Sequence, residues 1–345
     1  MRILFATDAH DRVSTLLNAP NYARLGDIDG VHIDFYNHNY AEYDVVLFMG
    51  YDPHVSEARK IKPELKIGVI DPRPTMVNTI LNADFVIANG LEMQDWLSEY
   101  FTKIFIYPIY PYLKASPKEH QEHKPLIIGY HGNKVHLLAS KPHVTGALDA
   151  LAEEYPFEFW AIYDIRSLGK IPFNLFSSKK IKVRFIQWEE DVYEKVLSQV
   201  DIGIVPNLIP LIDEAKVKEQ VKALFPSLLQ PHETDYLFRF KNTTNPGRIY
   251  VFSQLGIPVV AGMAPSAAQA IQHGVSGYLA VGTGAWYGAL RRLANSPELR
   301  SEMGKRLYID FCTHRNPEVL NRKLFDFINT LESNRLSEGV ERDIG

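Results

Sequence analysis

The stretch KNTTNPGRIYVFSQLGIPVV, residues 241–260, sets a polar loop with glycine, proline and one arginine directly before a helix, a glycine stop and a buried strand. Helix amino termini present unpaired backbone N–H groups and a partial positive charge, so they bind phosphates well. Gly247 lets the backbone approach an anion, and Arg248 adds a two-pronged donor suited to phosphate oxygens. Gly256, Ile257 and Pro258 then read as the helix stop and the start of a strand. The segment reads as a diphosphate cradle; a capped helix with a surface arginine fits the same local sequence.

Outward from this stretch the chain keeps a βα rhythm. Downstream lie IPVVAG (257–262), a helix near 265–273, GYLAV (277–281), helices over about 285–311 and a last helix near 317–332. Upstream lie LIIGYHG (126–132), a helix near 143–154, FEFWAIYD (157–164), KVRFIQW (182–188), a helix near 190–199 and DIGIVPN (201–207). The first third holds RILFAT (2–7), VHIDFY (31–36), DVVLFMG (44–50), KIGVID (66–71), DFVIANG (84–90) and KIFIYP (103–108). Such runs are mostly continuous rather than alternating in hydrophobicity, as in strands buried on both faces of a parallel sheet. Between the two series, PYLKASPKEHQEHKP (111–125) loses apolar residues and reads as a linker. The expected architecture is α/β, two Rossmann-like domains facing a central cleft. A first domain spans 1–112, a linker 113–125 and a second domain 126–314. A carboxyl-terminal helix at 315–335 can pack back on the first domain, and 336–345 is a tail. Residues 208–240 interrupt the rhythm, as a lid or binding loop or as an extra surface helix.

Composition agrees with two folded domains: 345 residues, 46% hydrophobic and 23% charged. A net charge of -4 provides no global positive field, so nucleic acid is not an expected partner and any anion site is local. The one cysteine, Cys312, excludes internal disulfides and cysteine-based zinc sites and fits a reducing compartment. MRILFATDAHD does not resemble a signal peptide, and no apolar run approaches the roughly 20 residues of a membrane span. A cytoplasmic protein without stable membrane insertion is expected. No P-loop or Gly-x-Gly-x-x-Gly fingerprint follows the first strand, and no Gly-x-Ser-x-Gly elbow occurs, which argues against ATPase, nicotinamide and serine hydrolase chemistry. Histidines lack i, i+4 spacing with a glutamate, so neither a metal nor another cofactor is expected.

The segment RIYVFSQLGIPVVAGMAPSAAQAIQHGVSGYLAV (248–281) resembles the carboxyl-domain signature of GT-B glycosyltransferases, especially the retaining group called family 4. The matching features are Arg248, Gly256, Pro258-Val259-Val260, Pro265, Gly277 and Leu279. IIGYHGNK (127–134) resembles the first strand and loop of the donor domain. VRFIQWEEDVYEKVLSQVDIGIVPN (183–207) resembles the strand, helix and strand before the signature, and DFVIANGLEMQDWL (84–97) a helix entry in the acceptor domain. The sequence departs from the family at the two glutamates that often hold the donor's sugar and ribose: their places are taken by Thr243 and Val251. The run Asn245-Pro246-Gly247-Arg248 resembles a branch in which a polar loop and an arginine replace that acidic pair.

The resemblance implies transfer of a sugar from a nucleotide-sugar donor to a hydroxyl of a glycan, lipid-linked or small-molecule acceptor, with retention at the anomeric carbon. It implies that Arg248 and Gly247 hold the diphosphate, with Asn133 and Lys134 opposite and Lys134 neutralising charge on the leaving group. It allows His131 to donate to the same oxygens, a histidine that caps its strand being the other reading, and Gly132 lies in that same strand-end loop. Gln187 and Trp188 match the nucleobase surroundings, Pro206 and Asn207 the strand end that faces the donor, and Lys241, Thr243, Thr244 and Asn245 sugar or phosphate contacts. On the acceptor side it points to Asp8, His10, Asp11 and Arg12, with His54 as a further strand-end residue. Asp71 is a candidate base or sugar contact and Arg73 a partner for an anionic acceptor; a salt-bridged turn is the other reading of that pair. An epimerase or phosphorylase on the same fold, or a binding protein that closes on a nucleotide sugar without chemistry, stays open.

Overall fold

The computed structural model describes residues 1–73, 75, 80–113, 115–122, 125–138, 143–171, 174–190, 192–207, 209–210, 219, 238–239 and 244–331. They form two compact units, Met1–Tyr112 with the residues from Arg315 onward, and Leu113–His314.

In the first unit β1 (Arg2–Ala6) leads through α1 (Val13–Ala23) to β2 (His32–Phe35). There follow β3 (Val45–Met49), α2 (Val55–Ile61), β4 (Lys66–Ile70), β5 (Phe85–Ala88), α3 (Leu91–Leu97) and β6 (Ile104–Ile106). The strands pair in parallel in the order β2-β1-β3-β4-β5-β6. Every residue of β3 and β5 is buried, which is why their sequences run apolar without alternation. The chain steps from β1 to β2 on one side and then returns to place β3 on the other. The sheet's winding therefore reverses between β1 and β3, the place where open α/β sheets receive ligands beyond their strand ends.

The second unit runs β7 (Leu126–His131), α4 (Lys134–Leu138), α5 (His143–Glu154), β8 (Phe157–Tyr163), α6 (Ile165–Leu168), β9 (Lys182–Gln187), α7 (Tyr193–Leu197) and β10 (Ile202–Val205). A two-residue antiparallel pair, β11 (Ile209–Pro210) with β12 (Phe238–Arg239), precedes α8 (Gly247–Gln254). Then come β13 (Val259–Gly262), α9 (Pro265–Ala270), β14 (Gly277–Ala280), α10 (Thr283–Asn295) and α11 (Pro297–Asp310). Its sheet is also parallel, in the order β14-β13-β10-β7-β8-β9, and its winding reverses between β7 and β10. Most of the segment 208–240 lies outside the described residues.

The segment expected as a linker is fastened to the second unit. Leu113 N–H donates to Gln254 Oε1 at 2.7 Å, and Lys118 N–H to the carbonyl of Leu255 at 2.8 Å. Lys118 Nζ reaches the fully buried Asp201 carboxylate at 2.8 Å. Beside them α8 stops at Gly256, whose φ of 64° is the left-handed conformation of a helix C′ residue. The last helix, α12 (Pro317–Thr330), opens with the Asn316 side chain accepting from Val319 N–H at 2.9 Å. It belongs to the first unit, where Phe327 packs against Phe85 and Phe105 and Asn321 donates to the carbonyl of Asn21 at 2.8 Å.

The seat of α8 on β10 is set by Gly203. A Cβ there would lie 2.6 Å from the Phe252 ring, so the helix can come this close only over a glycine. Gly203→Ala is expected to cost about 1–3 kcal/mol by overpacking, read from urea unfolding, and to displace the amino end of α8.

Candidate functional site

The reversal between β7 and β10 brings together residues from three elements. Arg248, the second residue of α8, turns its guanidinium onto the end of β10. One terminal nitrogen donates to the carbonyl of Pro206 at 3.2 Å and to Asn207 Oδ1 at 3.1 Å, and the other donates to the Tyr130 hydroxyl at 3.4 Å. Tyr130 in turn donates to the carbonyl of Asn133 at 2.5 Å, tying Arg248 to the loop that follows β7. The guanidinium is therefore held in place while two of its five N–H groups have no partner among the described residues. Asn207 is itself buried and donates to the carbonyl of Gly262 at 3.3 Å.

Gly132 makes this approach possible. Its φ is 121°, and a Cβ would stand 2.9 Å from Arg248 Cδ, so a side chain would meet both strain and collision. His131 braces the helix from below: its ring packs edge-on to Phe252, and Nε2 donates to the carbonyl of Arg248 at 3.2 Å. Burial pushes the His131 pKa down to about 4 and the neighbouring guanidinium adds to this, so the ring is neutral. At the start of the helix Asn245 Oδ1 accepts from Gly247 N–H at 3.2 Å. Thr244 is described and Lys241 and Thr243 lie outside the described residues. Lys134 opens α4, and its Nζ donates to the carbonyl of Gly169 at 3.1 Å. Val251, at one of the family's glutamate positions, is a buried core residue of α8.

Gln187 and Trp188 belong to a separate group at the ends of β8 and β9. Gln187 Nε2 donates to Asp164 Oδ1 at 3.0 Å and to the carbonyl of Trp188 at 2.8 Å, while its Oε1 accepts from Arg166 N–H at 3.1 Å. Its amide is occupied in joining two strand ends. Trp188 is half-buried with its ring against Tyr193.

In the first unit the acceptor-side residues divide into two groups. Asp71, after β4, is 1% exposed and has a φ of 50°, uncommon outside glycine and more readily accepted by aspartate and asparagine than by most residues. Arg73 binds one of its carboxylate oxygens and Asn89 Nδ2 donates to the other at 2.8 Å. Burial raises the Asp71 pKa to about 6, with Arg73 and then Asn89 pulling against it. The carbonyl of Asp71 would lie 2.3 Å from a Cβ on Gly50, so β3 and β4 are pressed together at this edge.

The second group surrounds the reversal between β1 and β3. Asp8 Oδ1 lies 3.0 Å from His38 Nε2 and Asp8 Oδ2 lies 3.7 Å from His54 Nδ1. Buried Asp52 accepts from the His54 backbone N–H at 2.9 Å and stands 3.0 Å from His54 Nδ1. On the same loop His10 stacks on Tyr36 at 4.3 Å, Arg12 lies over the Tyr51 ring at 4.2 Å and Asp11 is exposed. One Asp-x-Asp triplet, Asp27 to Asp29, precedes β2 and so lies at the opposite edge of this sheet.

Tyr130, Asp164, His38, Asp52 and Asn89 are absent from the sequence-based expectations. Tyr130 carried one usable signal, a hydroxyl in an otherwise apolar strand one residue before its end; Asp52 stands two residues before His54, and Asp164, His38 and Asn89 become neighbours of the candidates only through strand order.

A raised carboxyl pKa favours the folded state at low pH and loses that contribution as pH climbs through the folded value, here about 6. Asp71→Asn is therefore expected to remove a fall in stability between about pH 4 and pH 7, on the order of 3 kcal/mol, measured as the difference between wild-type and variant urea curves across that range.

No protein-family model matches the sequence, and no curated protein matches it either. Solved structures do. A glycosyltransferase from Rickettsia africae aligns with a TM-score of 0.65 at 13% identity, over 96% of this chain and 99% of that one. HepE of Anabaena, crystallised with UDP and glucose, aligns with a TM-score of 0.60 at 13% identity, over 96% of this chain and all of that one. TarM of S. aureus, crystallised with UDP among its ligands, gives 0.54 at 12% identity over 83% of this chain; the chain spans about half of TarM, 55% of its length. Two parallel six-stranded sheets covered by helices, aligned nearly end to end with glycosyltransferases of this architecture, give the chain the GT-B fold.

Proposed function

We propose that this protein is a glycosyltransferase that moves a sugar from a nucleotide-diphosphate donor to a hydroxyl acceptor. The observation that carries the reading is the Arg248 guanidinium, anchored by Pro206, Asn207 and Tyr130 at the winding reversal of the second sheet with two N–H groups left over. Cationic N–H donors left over on a fixed guanidinium suit the anionic oxygens of a diphosphate. The amino end of α8 adds its partial charge. Solved GT-B structures with UDP in place, HepE and TarM, support a nucleotide as the donor's handle.

In this reading Arg248, Gly247, Asn133 and Lys134 hold the diphosphate, with Lys241, Thr243, Thr244 and Asn245 on the same loop and Gly132 leaving room. His131 keeps α8 in position as a neutral donor. Negative charge grows on the departing diphosphate as the glycosidic bond breaks, and fixed cationic donors lower that barrier without a metal. Gln187 and Trp188 border the base, and Pro206 and Asn207 face the donor. Asp8, His10, Asp11, Arg12 and His54 receive a glycan, lipid-linked or small-molecule acceptor. Asp71 and Arg73 lie nearest the acceptor hydroxyl, where a buried carboxyl with a raised pKa is suited to taking or lending a proton. The reaction retains anomeric configuration, and the chain is a variant of family 4 in which the arginine loop replaces the acidic pair. It works in the cytoplasm. No helix among the described residues is long and apolar enough to cross a membrane.

Calorimetry with UDP and GDP, followed by release of nucleotide diphosphate from the matching sugars, tests the reading. Arg248→Ala is expected to weaken diphosphate binding by about 1.5–3 kcal/mol, roughly 10- to 150-fold. Unchanged affinity in that variant rejects the phosphate role, and binding without turnover over the acceptor classes favours a binding protein over an enzyme.

A further inference from the structure

The winding reversal of the first sheet carries a constellation that diphosphate binding does not use. Asp8 follows β1, His38 follows β2 and His54 follows β3, so three consecutive strand ends each deliver one side chain to one place. One donor atom from each lies within 4.8 Å of the others, and the two histidine rings meet edge to face at 5.0 Å. Ligands about one ion at metal–ligand distances of about 2.1 Å stand roughly 3–3.5 Å apart, so side-chain rotation alone closes this set. The Asp8–His38 pair is already at 3.0 Å and the Asp8–His54 pair at 3.7 Å.

The shell behind these donors is built from buried groups. Tyr40, 1% exposed, places its hydroxyl 2.9 Å from His38 Nδ1, which directs Nε2 toward Asp8. Asp52, 4% exposed, accepts from the backbone of His54 at 2.9 Å and from that of Asp8 at 3.3 Å. Metal-binding histidines are held by outer partners on the ring nitrogen that does not bind the ion, the place Tyr40 takes on His38, while Asp52 fixes the loop backbone that carries His54. Asp8 and Asp52 bring two carboxylates to two imidazoles, and a dication balances that charge. Two imidazole nitrogens and a carboxylate oxygen suit zinc-class transition ions rather than calcium or magnesium, which take oxygen donors.

We propose that Asp8, His38 and His54 bind a divalent transition-metal ion of the zinc class, with Tyr40 and Asp52 as positioning residues. A metal on His54 Nδ1 takes the place of the contact with Asp52 at 3.0 Å, and the ring carries its proton on Nε2. Asp8 and His38 are more than half exposed, so the remaining coordination positions face water and can accept an oxygen of a bound molecule. The cation site rests on these side chains alone and not on the transferase reading.

The test titrates Zn²⁺ into the metal-free full-length chain by calorimetry and records the visible spectrum with Co²⁺. One equivalent is expected. His38→Ala and His54→Ala are expected to abolish uptake. Tyr40→Phe weakens it about 10- to 100-fold and alters the Co²⁺ bands. His32→Ala, which removes a histidine of β2 paired with Asp34, leaves it unchanged. Thermal unfolding without metal checks that each variant is folded. No uptake by the wild-type chain at millimolar Zn²⁺, or uptake unchanged in both folded histidine variants, overturns the proposal. UDP binding in the same samples bears only on the transferase reading, so the two fail separately.

Discussion

The contact on which the donor-side geometry depends is the close seating of α8 on β10, where the Phe252 ring lies against the backbone of Gly203. A helix held this near a strand delivers its second residue to that strand's open end. Arg248 then finds the carbonyl of Pro206 and the amide of Asn207 without reaching, and the Tyr130 hydroxyl closes the third side. His131 and Gly132 serve the same contact: one supports the helix backbone, the other stays small where the arginine stem passes. Among the described residues the guanidinium is thus placed by packing and by neutral acceptors, and its charge remains available.

The two sheets use one topological device for opposite chemistry. Each winds away from its first strand in one direction and resumes on the other side, leaving diverging loops above the central strand pair. In the second unit that place holds arginine, an amide and a tyrosine, a set that donates hydrogen bonds to anions. In the first it holds two carboxylates and two histidines, a set that accepts protons or cations. Asp71 adds a third carboxylate farther along the same edge, kept from full ionisation near neutral pH by burial although Arg73 and Asn89 oppose that effect.

Much of the fold was legible because parallel strands buried on both faces leave uninterrupted apolar runs. The twelve strands of the two sheets fall within the segments that pattern marked. Helix ends were less legible. The helix expected near 190–199 is confined to Tyr193–Leu197, and that near 265–273 ends at Ala270, because tertiary packing and local turns rather than periodicity decide where a short helix stops. The segment 113–125 read as a linker by composition, yet Leu113 is bound through its backbone by Gln254, and Lys118 by Asp201 and Leu255, partners far away in sequence.

By itself the sequence determined that strands and helices alternate, that α8 begins at a glycine and an arginine, and that polar or turn residues follow most strands. Those are local properties, set by hydrophobic period and by the chemistry of helix ends. Only the tertiary structure decided which strand ends become neighbours, since the order β14-β13-β10-β7-β8-β9 is a matter of how the chain winds. That order gave Arg248 its anchors on Pro206 and Tyr130 and gathered Asp8, His38 and His54 from three separate loops. Side chains that share a site across long sequence separations meet through packing, and nothing in their spacing announces it.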